Sequence, residues 1–288
     1  MNPGIYPDLP AADYHAIDAC SATRLKWMSR SPAYCRWRID HNKSTSAMTL
    51  GTAAHMAVLE PDRFLQTCAR RPERDGKMLA VNTKDYKGWL QAIPPGSIPL
   101  PPQDYDAAVR MRDAVWDCPE AVALLKGHYD YEASMFWTDA ATGLPCKCRV
   151  DVLGCALTDL KTTAKLPGPG AVNRWVASEQ HHLQGAFYRN GAAHTVTPRD
   201  NFALIVVRSD PPHECAVFDL DPDALRCGAE RVRRLMDTYA ACVESGEWPG
   251  WAGGIHTASV PEWEQRECWP EEYAPIVLTR GGKKLEGI

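Results

Sequence analysis

The stretch CRVDVLGCALTDLKTT, residues 148–163, places an aspartate inside each of two apolar runs, Asp151 and Asp159. A lysine, Lys161, follows two places after the second. Strand side chains alternate between faces, so Asp159 and Lys161 share one face, and a tight hairpin brings Asp151 beside them on the neighbouring strand. Two carboxylates and a lysine converging on one sheet edge must be solvated, paired or holding a cation, because burying them unpaired is costly. Two readings stay open. One is a salt-bridged surface hairpin, Asp159 with Lys161 or Arg149. The other is an oxygen-ligand site for Mg²⁺, a small hard cation held by one or two carboxylates plus waters and substrate phosphate. In that site Lys161 stands beside the attacking water, orienting it or taking its proton, its own pKa pulled down by the adjacent cation. The triplet D-x-K alone carries little: Asp75-Gly76-Lys77 and Asp85-Tyr86-Lys87 match it in a polar stretch and read as solvated loop charges.

The elements that must hold these groups follow from periodicity. CSATRLKWMSRSPAYCRWR reads as a helix capped by Ser21, ended near Ser31-Pro32 and resumed; TSAMTLGTAAHMAVLEPDRF is a second helix, stopped at Glu60-Pro61. Residues 70–104, rich in proline and glycine, read as an irregular insertion. DYDAAVRMRDAVWDCPEAVALLKG is helical with a break at Pro119. The period then changes: YEASMFWTD, LPCKCRVDVL and ALTDLKTT are strand-like runs separated by turn signals. A helix over AVNRWVASEQHHLQGAFYRNGA, strands at NFALIVVRS and ECAVFDLD, and a long helix from PDALRCGAERV complete the order. Helices, three strands, helix, two strands, helix predict an α/β domain with a mixed central sheet flanked by helices. The division expected is one domain over 1–250 and a Trp- and Pro-rich tail over 251–288 without a readable structure.

Composition sets bounds. The 288 residues, 45% hydrophobic and 24% charged, suit a globular fold, and a formal charge of −4 argues against a broadly basic surface while leaving room for a local cationic funnel. No secretory signal and no apolar run long enough for a membrane span is visible, so a cytoplasmic protein is expected. The 11 cysteines are scattered without a C-x-x-C, which points to free thiols rather than a zinc site, iron–sulfur site or disulfide framework.

VDVLGCALTDLKTT resembles the D…D-x-K hairpin of the PD-(D/E)XK nuclease superfamily. GTAAH at 51–55 is similar to the helical Gly-Thr-x-x-His of its RecB-like branch, and QGAFY at 184–188 to that branch's Q-x-x-x-Y. SRSPAYCRW, LGTAAHMAVLEPDRF and CKCRVDVL resemble the RecE-type nuclease domain, exodeoxyribonuclease VIII, so the likeness runs in order over about residues 5–245. It implies the PD-(D/E)XK restriction-endonuclease-like core, with His55, Asp151, Asp159 and the backbone carbonyl of Leu160 as metal ligands. Lys161, Asp159, Asp151 and Glu132 then form the catalytic set, although Glu132 reads equally as an edge-strand glutamate. Gln184 and Tyr188, one helical turn apart, contact DNA or brace the lysine. Arg149 meets a DNA phosphate or pairs with Asp151; Thr162 bonds phosphate or merely favours a strand.

The activity implied is phosphodiester hydrolysis with Mg²⁺, Mn²⁺ substituting because imidazole suits it better. The substrate implied is linear double-stranded DNA, digested 5′-to-3′ to leave 3′ single-stranded tails for recombination. The likeness further implies a ring-like homo-oligomer, commonly a tetramer, and a single-strand annealing recombinase, often of the same prophage, as partner. A Cas4- or AddB-like nuclease is the rival within nucleases, and a catalytically silent DNA-binding module the rival outside them. A zinc hydrolase built on His181 and His182 fails, because adjacent helical side chains diverge.

Overall fold

The computed structural model describes residues 1–41, 46–127, 130–166, 168, 170–196, 198–251, 255, 257–270, 279–280 and 283–284. The chain divides into two units, Met1–Gly250 and Trp251–Ile288.

The first unit begins β1 (Gly4–Tyr6), α1 (Ala11–Ala16), α2 (Ala22–Met28), α3 (Pro32–Asp40), α4 (Ser46–Leu59), α5 (Pro61–Thr67). Next come β2 (Cys68–Arg70), β3 (Glu73–Arg74), β4 (Lys77–Met78), α6 (Lys84–Ala92), β5 (Ile98–Leu100), α7 (Pro102–Trp116) and α8 (Pro119–Leu125). The second half runs β6 (Asp130–Thr138), β7 (Pro145–Leu153), β8 (Leu157–Thr163), α9 (Val172–Ser178), α10 (His181–Thr195), β9 (Phe202–Arg208), β10 (Cys215–Asp219) and α11 (Pro222–Ser245). Local chemistry sets the ends. Ser21 and Ser31 accept from the amides of Arg24 and Tyr34 and start α2 and α3. Proline opens α3, α5, α7, α8 and α11, where its missing N–H costs nothing.

Six strands form one sheet in the order β1-β6-β7-β8-β9-β10, with only β8 and β9 parallel. The crossover joining that parallel pair carries α9 and α10. One face is covered by α2, α10 and α11, whose Leu25, Phe187 and Met236 meet Val150, Leu157 and Leu204 of the sheet. The other is covered by α4, α7 and α8, with Val58, Met111 and Leu125 against Val152, Leu160 and Ile205. This is the mixed, helix-flanked sheet that the sequence predicts.

The structure departs from the sequence reading in several places. The chain re-enters a helix, α5, at Pro61, where the sequence reads only as a stop. A short strand, β1, extends the sheet beyond β6; three residues beside Pro3 and Pro7 give no periodic signal. The region 70–104 is not irregular: β3 and β4 form a hairpin, α6 is capped by Thr83, and β5 pairs in parallel with β2. The single helix expected over 171–192 is two, divided where Gln180 adopts a left-handed backbone at φ 55°.

In the second unit, α12 (Glu262–Cys268) carries an Arg266–Glu262 ion pair of 2.6 Å, and β11 (Thr279–Arg280) pairs antiparallel with β12 (Lys283–Lys284). Among the described residues no helix is long and apolar enough to cross a membrane. All eleven cysteines are free, and six of them are buried.

Candidate active site

The site grows out of an interrupted ladder. β6 and β7 pair along nearly their whole length, and β8 pairs with β9 over all of its residues. Between β7 and β8 the ladder holds only Val152↔Thr158 and Leu153↔Leu157. Beyond those pairs the amide of Leu160 donates to Asp151 Oδ2 at 2.7 Å, so a carboxylate takes the place of a backbone acceptor. Asp151 and Asp159 thus sit where the strands stop pairing, 8% and 2% exposed.

Glu132 joins from β6. The register Tyr131↔Val152 and Ala133↔Val150 puts it opposite Asp151, yet it is skipped as a pair because its backbone is left-handed, φ 54°. A non-glycine residue in that region costs about 1 kcal/mol or more, so the surroundings hold it there. Its carboxylate is tied by Arg149, whose Nε donates at 2.7 Å while Nη1 donates to the Leu9 carbonyl and Ser134 Oγ. Arg149 therefore pairs with Glu132, not with Asp151 as one sequence alternative had it.

From the opposite face, α4 brings His55, its Nδ1 3.5 Å from Asp151 Oδ2 and its ring against the Leu160 carbonyl. Gly51, one turn earlier, faces β8, where a Cβ would meet Thr162 Oγ1 at an ordinary contact distance of 3.4 Å. One ligand atom from each of His55, Glu132 and Asp151 lies within 4.8 Å of the other two.

Asp159 is engaged on the other side, its Oδ2 2.6 Å from Lys161 Nζ and its Oδ1 accepting from Gln184 Nε2 at 2.6 Å. Gln184 lies on α10 and in turn accepts from Lys26 Nζ of α2 at 3.1 Å. Tyr188, one turn along α10, is a phenol whose pKa burial and the Asp159 charge lift well above the usual value, which keeps it a neutral donor. His181, also on α10, is 4% exposed and lies against Trp175 with ring centroids 4.3 Å apart and the planes tilted by 49°. Among the described residues neither ring nitrogen makes a well-formed hydrogen bond, Gln184 being its polar neighbour. Burial, with the nearby charges of Lys161 and Lys26, pulls its pKa down to about 3. His182 turns away, toward the Val176 carbonyl, as adjacent helical positions require.

The charges are strongly unequal. Burial, then the charges of Asp159 and Glu132, push the Asp151 pKa well above the carboxylate range. Burial works the same way on Asp159, but Lys161, by charge and hydrogen bond, more than offsets it and holds the carboxyl below its usual value. Burial opposes the Lys161 charge, and Asp159 and Asp151 outweigh it, so the lysine stays protonated above its usual range. Burial and then Lys161 lower His55, leaving a neutral imidazole able to act as a ligand. An imidazole nitrogen and two carboxylates, one of which cannot ionise at its ordinary pKa, suit a divalent cation of the Mg²⁺ or Mn²⁺ kind. The residues present fit such an ion.

Of the site residues expected from the sequence, His55, Glu132, Asp151, Asp159, Lys161, Gln184 and Tyr188 meet in or beside this cleft, Arg149 is tied to Glu132, and Thr162 faces Gly51 of α4. Lys26 was missed: on sequence alone it is one more lysine on a short helix, 158 residues from its partner.

A family model described as a PDDEXK-like domain of unknown function (DUF3799) matches residues 21–260. The crystal structure of a protein from Eubacterium rectale, described as a candidate exonuclease, superposes with a TM-score of 0.60 at 12% identity, covering 90% of this chain and 98% of its own. At that identity the likeness speaks for the fold. No curated protein matches.

Proposed function

This chain belongs to the DUF3799 family of PDDEXK-like domains, and we propose that it works as a divalent-metal-dependent exodeoxyribonuclease. The observation that carries the proposal is the cleft between β7 and β8. There Asp151, His55 and Glu132 offer three donors to one point, and Asp159 holds Lys161 at its edge.

Mg²⁺, with Mn²⁺ substituting, would be held by His55, Asp151, Glu132, Asp159 and the Leu160 carbonyl, and supplies Lewis acidity and charge neutralisation at the scissile phosphate. Lys161 orients the attacking water, or a phosphate oxygen, from its seat on Asp159. Glu132, fixed by Arg149, presents a carboxylate at the same point without freedom to swing away. Gln184 holds the far oxygen of Asp159, and Tyr188 keeps a neutral hydroxyl beside it. No covalent enzyme intermediate is needed.

The resemblance to RecE-type enzymes supports the finer reading: 5′-to-3′ digestion of linear double-stranded DNA, leaving 3′ tails for recombination. It also supports a ring-like homo-oligomer, a tetramer by that likeness, an annealing recombinase as partner, and a cytoplasmic setting. A Cas4- or AddB-like nuclease carries an iron–sulfur cluster on grouped cysteines. Among the described residues no cysteine joins a group with metal-ligand spacing.

The test is digestion of linear duplex DNA labelled at the 5′ or the 3′ end, with Mg²⁺, Mn²⁺ or EDTA, beside Lys161→Ala and Asp159→Ala. Metal-dependent release of the 5′ label as mononucleotide, lost in both variants, is the expected result. Release of the 3′ label first reverses the polarity. A wild type inert with every metal but able to bind DNA replaces the nuclease with a silent DNA-binding module.

A further inference from the structure

We infer that Lys26 is a positioning residue for the active site: it anchors the Gln184 amide, and through it the orientation of the Asp159 carboxylate. The inference rests on the nuclease reading for its effect on rate, though not for its geometry.

The connection is a chain of four side chains. Lys26 Nζ donates to Gln184 Oε1 at 3.1 Å, Gln184 Nε2 donates to Asp159 Oδ1 at 2.6 Å, and Asp159 Oδ2 meets Lys161 Nζ at 2.6 Å. The chemistry of the ends fixes the direction of the middle. An ammonium only donates and a carboxylate only accepts, so the primary amide between them can lie one way round. Held at both ends, Gln184 loses its freedom to rotate, and its N–H is polarised toward Asp159. Asp159 Oδ1 then holds the Gln184 hydrogen bond while Oδ2 keeps the ion pair with Lys161, and the two contacts together set the plane of the carboxylate that seats Lys161.

The surroundings are built for this contact. Leu25 and Met28 bury one side of α2, and Ser29 Oγ accepts from Gln180 Nε2 at 2.8 Å. Lys26→Gln184 and Gln180→Ser29 are thus two rungs joining the end of α2 to the start of α10. His181, buried between those rungs in sequence and neutral, adds no competing charge. Lys26 itself sits at a cost. Burial, and then the charge of Lys161, pull its pKa down to about 8, and among the described residues no carboxylate forms an ion pair with it. A lysine serving only solubility would extend into water instead.

Lys26→Met, Lys26→Arg, Gln184→Leu and the Lys26→Met/Gln184→Leu double variant test this by two readouts. In single-turnover digestion of 5′-labelled duplex DNA with Mg²⁺, Lys26→Met lowers the rate at saturating DNA about tenfold. DNA affinity changes less than about twofold, Lys26→Arg recovers most of the rate, and the double variant is no slower than Gln184→Leu. In ¹H–¹⁵N spectra of metal-free, glutamine-labelled protein, the side-chain amide resonance lost in Gln184→Leu shifts in Lys26→Met and returns toward its place in Lys26→Arg. A resonance that does not move overturns the inference whether or not the chain cuts DNA. Multiplying rate losses overturn it too, as does a Lys26→Met loss confined to DNA affinity, which would make the lysine a phosphate contact. A wild type without nuclease activity removes the function proposed above and leaves the spectra to decide the positioning.

Discussion

The triplets Asp159-Leu160-Lys161 and Asp85-Tyr86-Lys87 share a pattern and differ in everything the fold does with it. On β8 the first and third residues share a face, and Asp159 is 2% exposed with Lys161 2.6 Å away. On α6 positions two apart point in widely different directions, so Asp85 pairs not with Lys87 but with Arg74, in water, at 2.8 Å. Asp75-Gly76-Lys77 shows a third outcome. Asp75 and Gly76, at φ 52° and 72°, make the two-residue turn of the β3–β4 hairpin, where a left-handed Asp-Gly pair matches the strand twist. Chemistry at a D-x-K triplet therefore depends on strand geometry and burial, which the three residues do not themselves encode.

The largest expected contrast lies between these triplets. Lys161→Ala and Asp159→Asn should each lower the digestion rate at least about 10²-fold, the order seen when a group acting directly on the transition state is removed. Lys87→Ala and Asp75→Ala should stay within about twofold, since exposed charges far from the reaction contribute little. A large loss in either of the latter would mean that DNA runs over the β3–β4 hairpin or α6.

That contrast also marks what could be read in the sequence. Asp151 and Asp159 stood out because charges interrupted apolar, alternating runs, and the strands themselves gave a clear period. His55 lies on a mainly apolar helix and was visible only through the motif around it. Glu132 looked like an ordinary edge residue; its left-handed backbone and its tie to Arg149 are tertiary facts. Lys26 was illegible for the same reason, its partner being supplied by packing of α2 on α10. The helix α6 was hidden because prolines and glycines on both sides outweighed a nine-residue amphipathic segment.

A second contrast concerns the glycines that serve the two regions. Gly228 on α11 lies so close to α10 that an added Cβ would stand 2.1 Å from the His182 carbonyl oxygen. Gly228→Ala must push apart the helix that carries Gln184, and should cost about 3 kcal/mol of unfolding free energy by urea titration, with nuclease activity falling alongside. Gly76 has open space around it and a positive φ, so Gly76→Ala should cost only about 1 kcal/mol and leave activity alone. Equal costs would mean that α11 can slide on α10, and that the site is less tightly held than its neighbours imply.

Asp151→Asn separates stability from function. In EDTA-treated protein the buried Asp151 carboxyl titrates above its unfolded value, so the native state binds the extra proton. The stability of metal-free wild type therefore falls as pH rises from the ordinary carboxylate range through the raised pKa. Asparagine can still accept from the Leu160 amide and does not ionise. Above that window, Asp151→Asn should raise the metal-free Tm by about 3 °C, the shift that roughly 1 kcal/mol gives a domain of this size. Activity should be lost. A Tm below wild type at high pH would show that the ionised carboxylate is already satisfied without a cation.

The smallest effect closes the comparison from the exposed side. The Arg74–Asp85 bridge is short, yet the side chains are 67% and 49% exposed. An ion pair so open to water gains little by Coulomb attraction, because solvent screens it and two long side chains lose freedom in forming it. Asp85→Ala also removes an acidic group from the first turn of α6, where it favours the helix dipole, and this adds a few tenths of a kcal/mol at low salt. The sum should stay near 0.5 kcal/mol or less and shrink further in about 1 M NaCl, measured by urea unfolding at both ionic strengths. A salt-insensitive loss several times larger would mean that the bridge is buried in the working assembly, and that a surface around α6 is covered there.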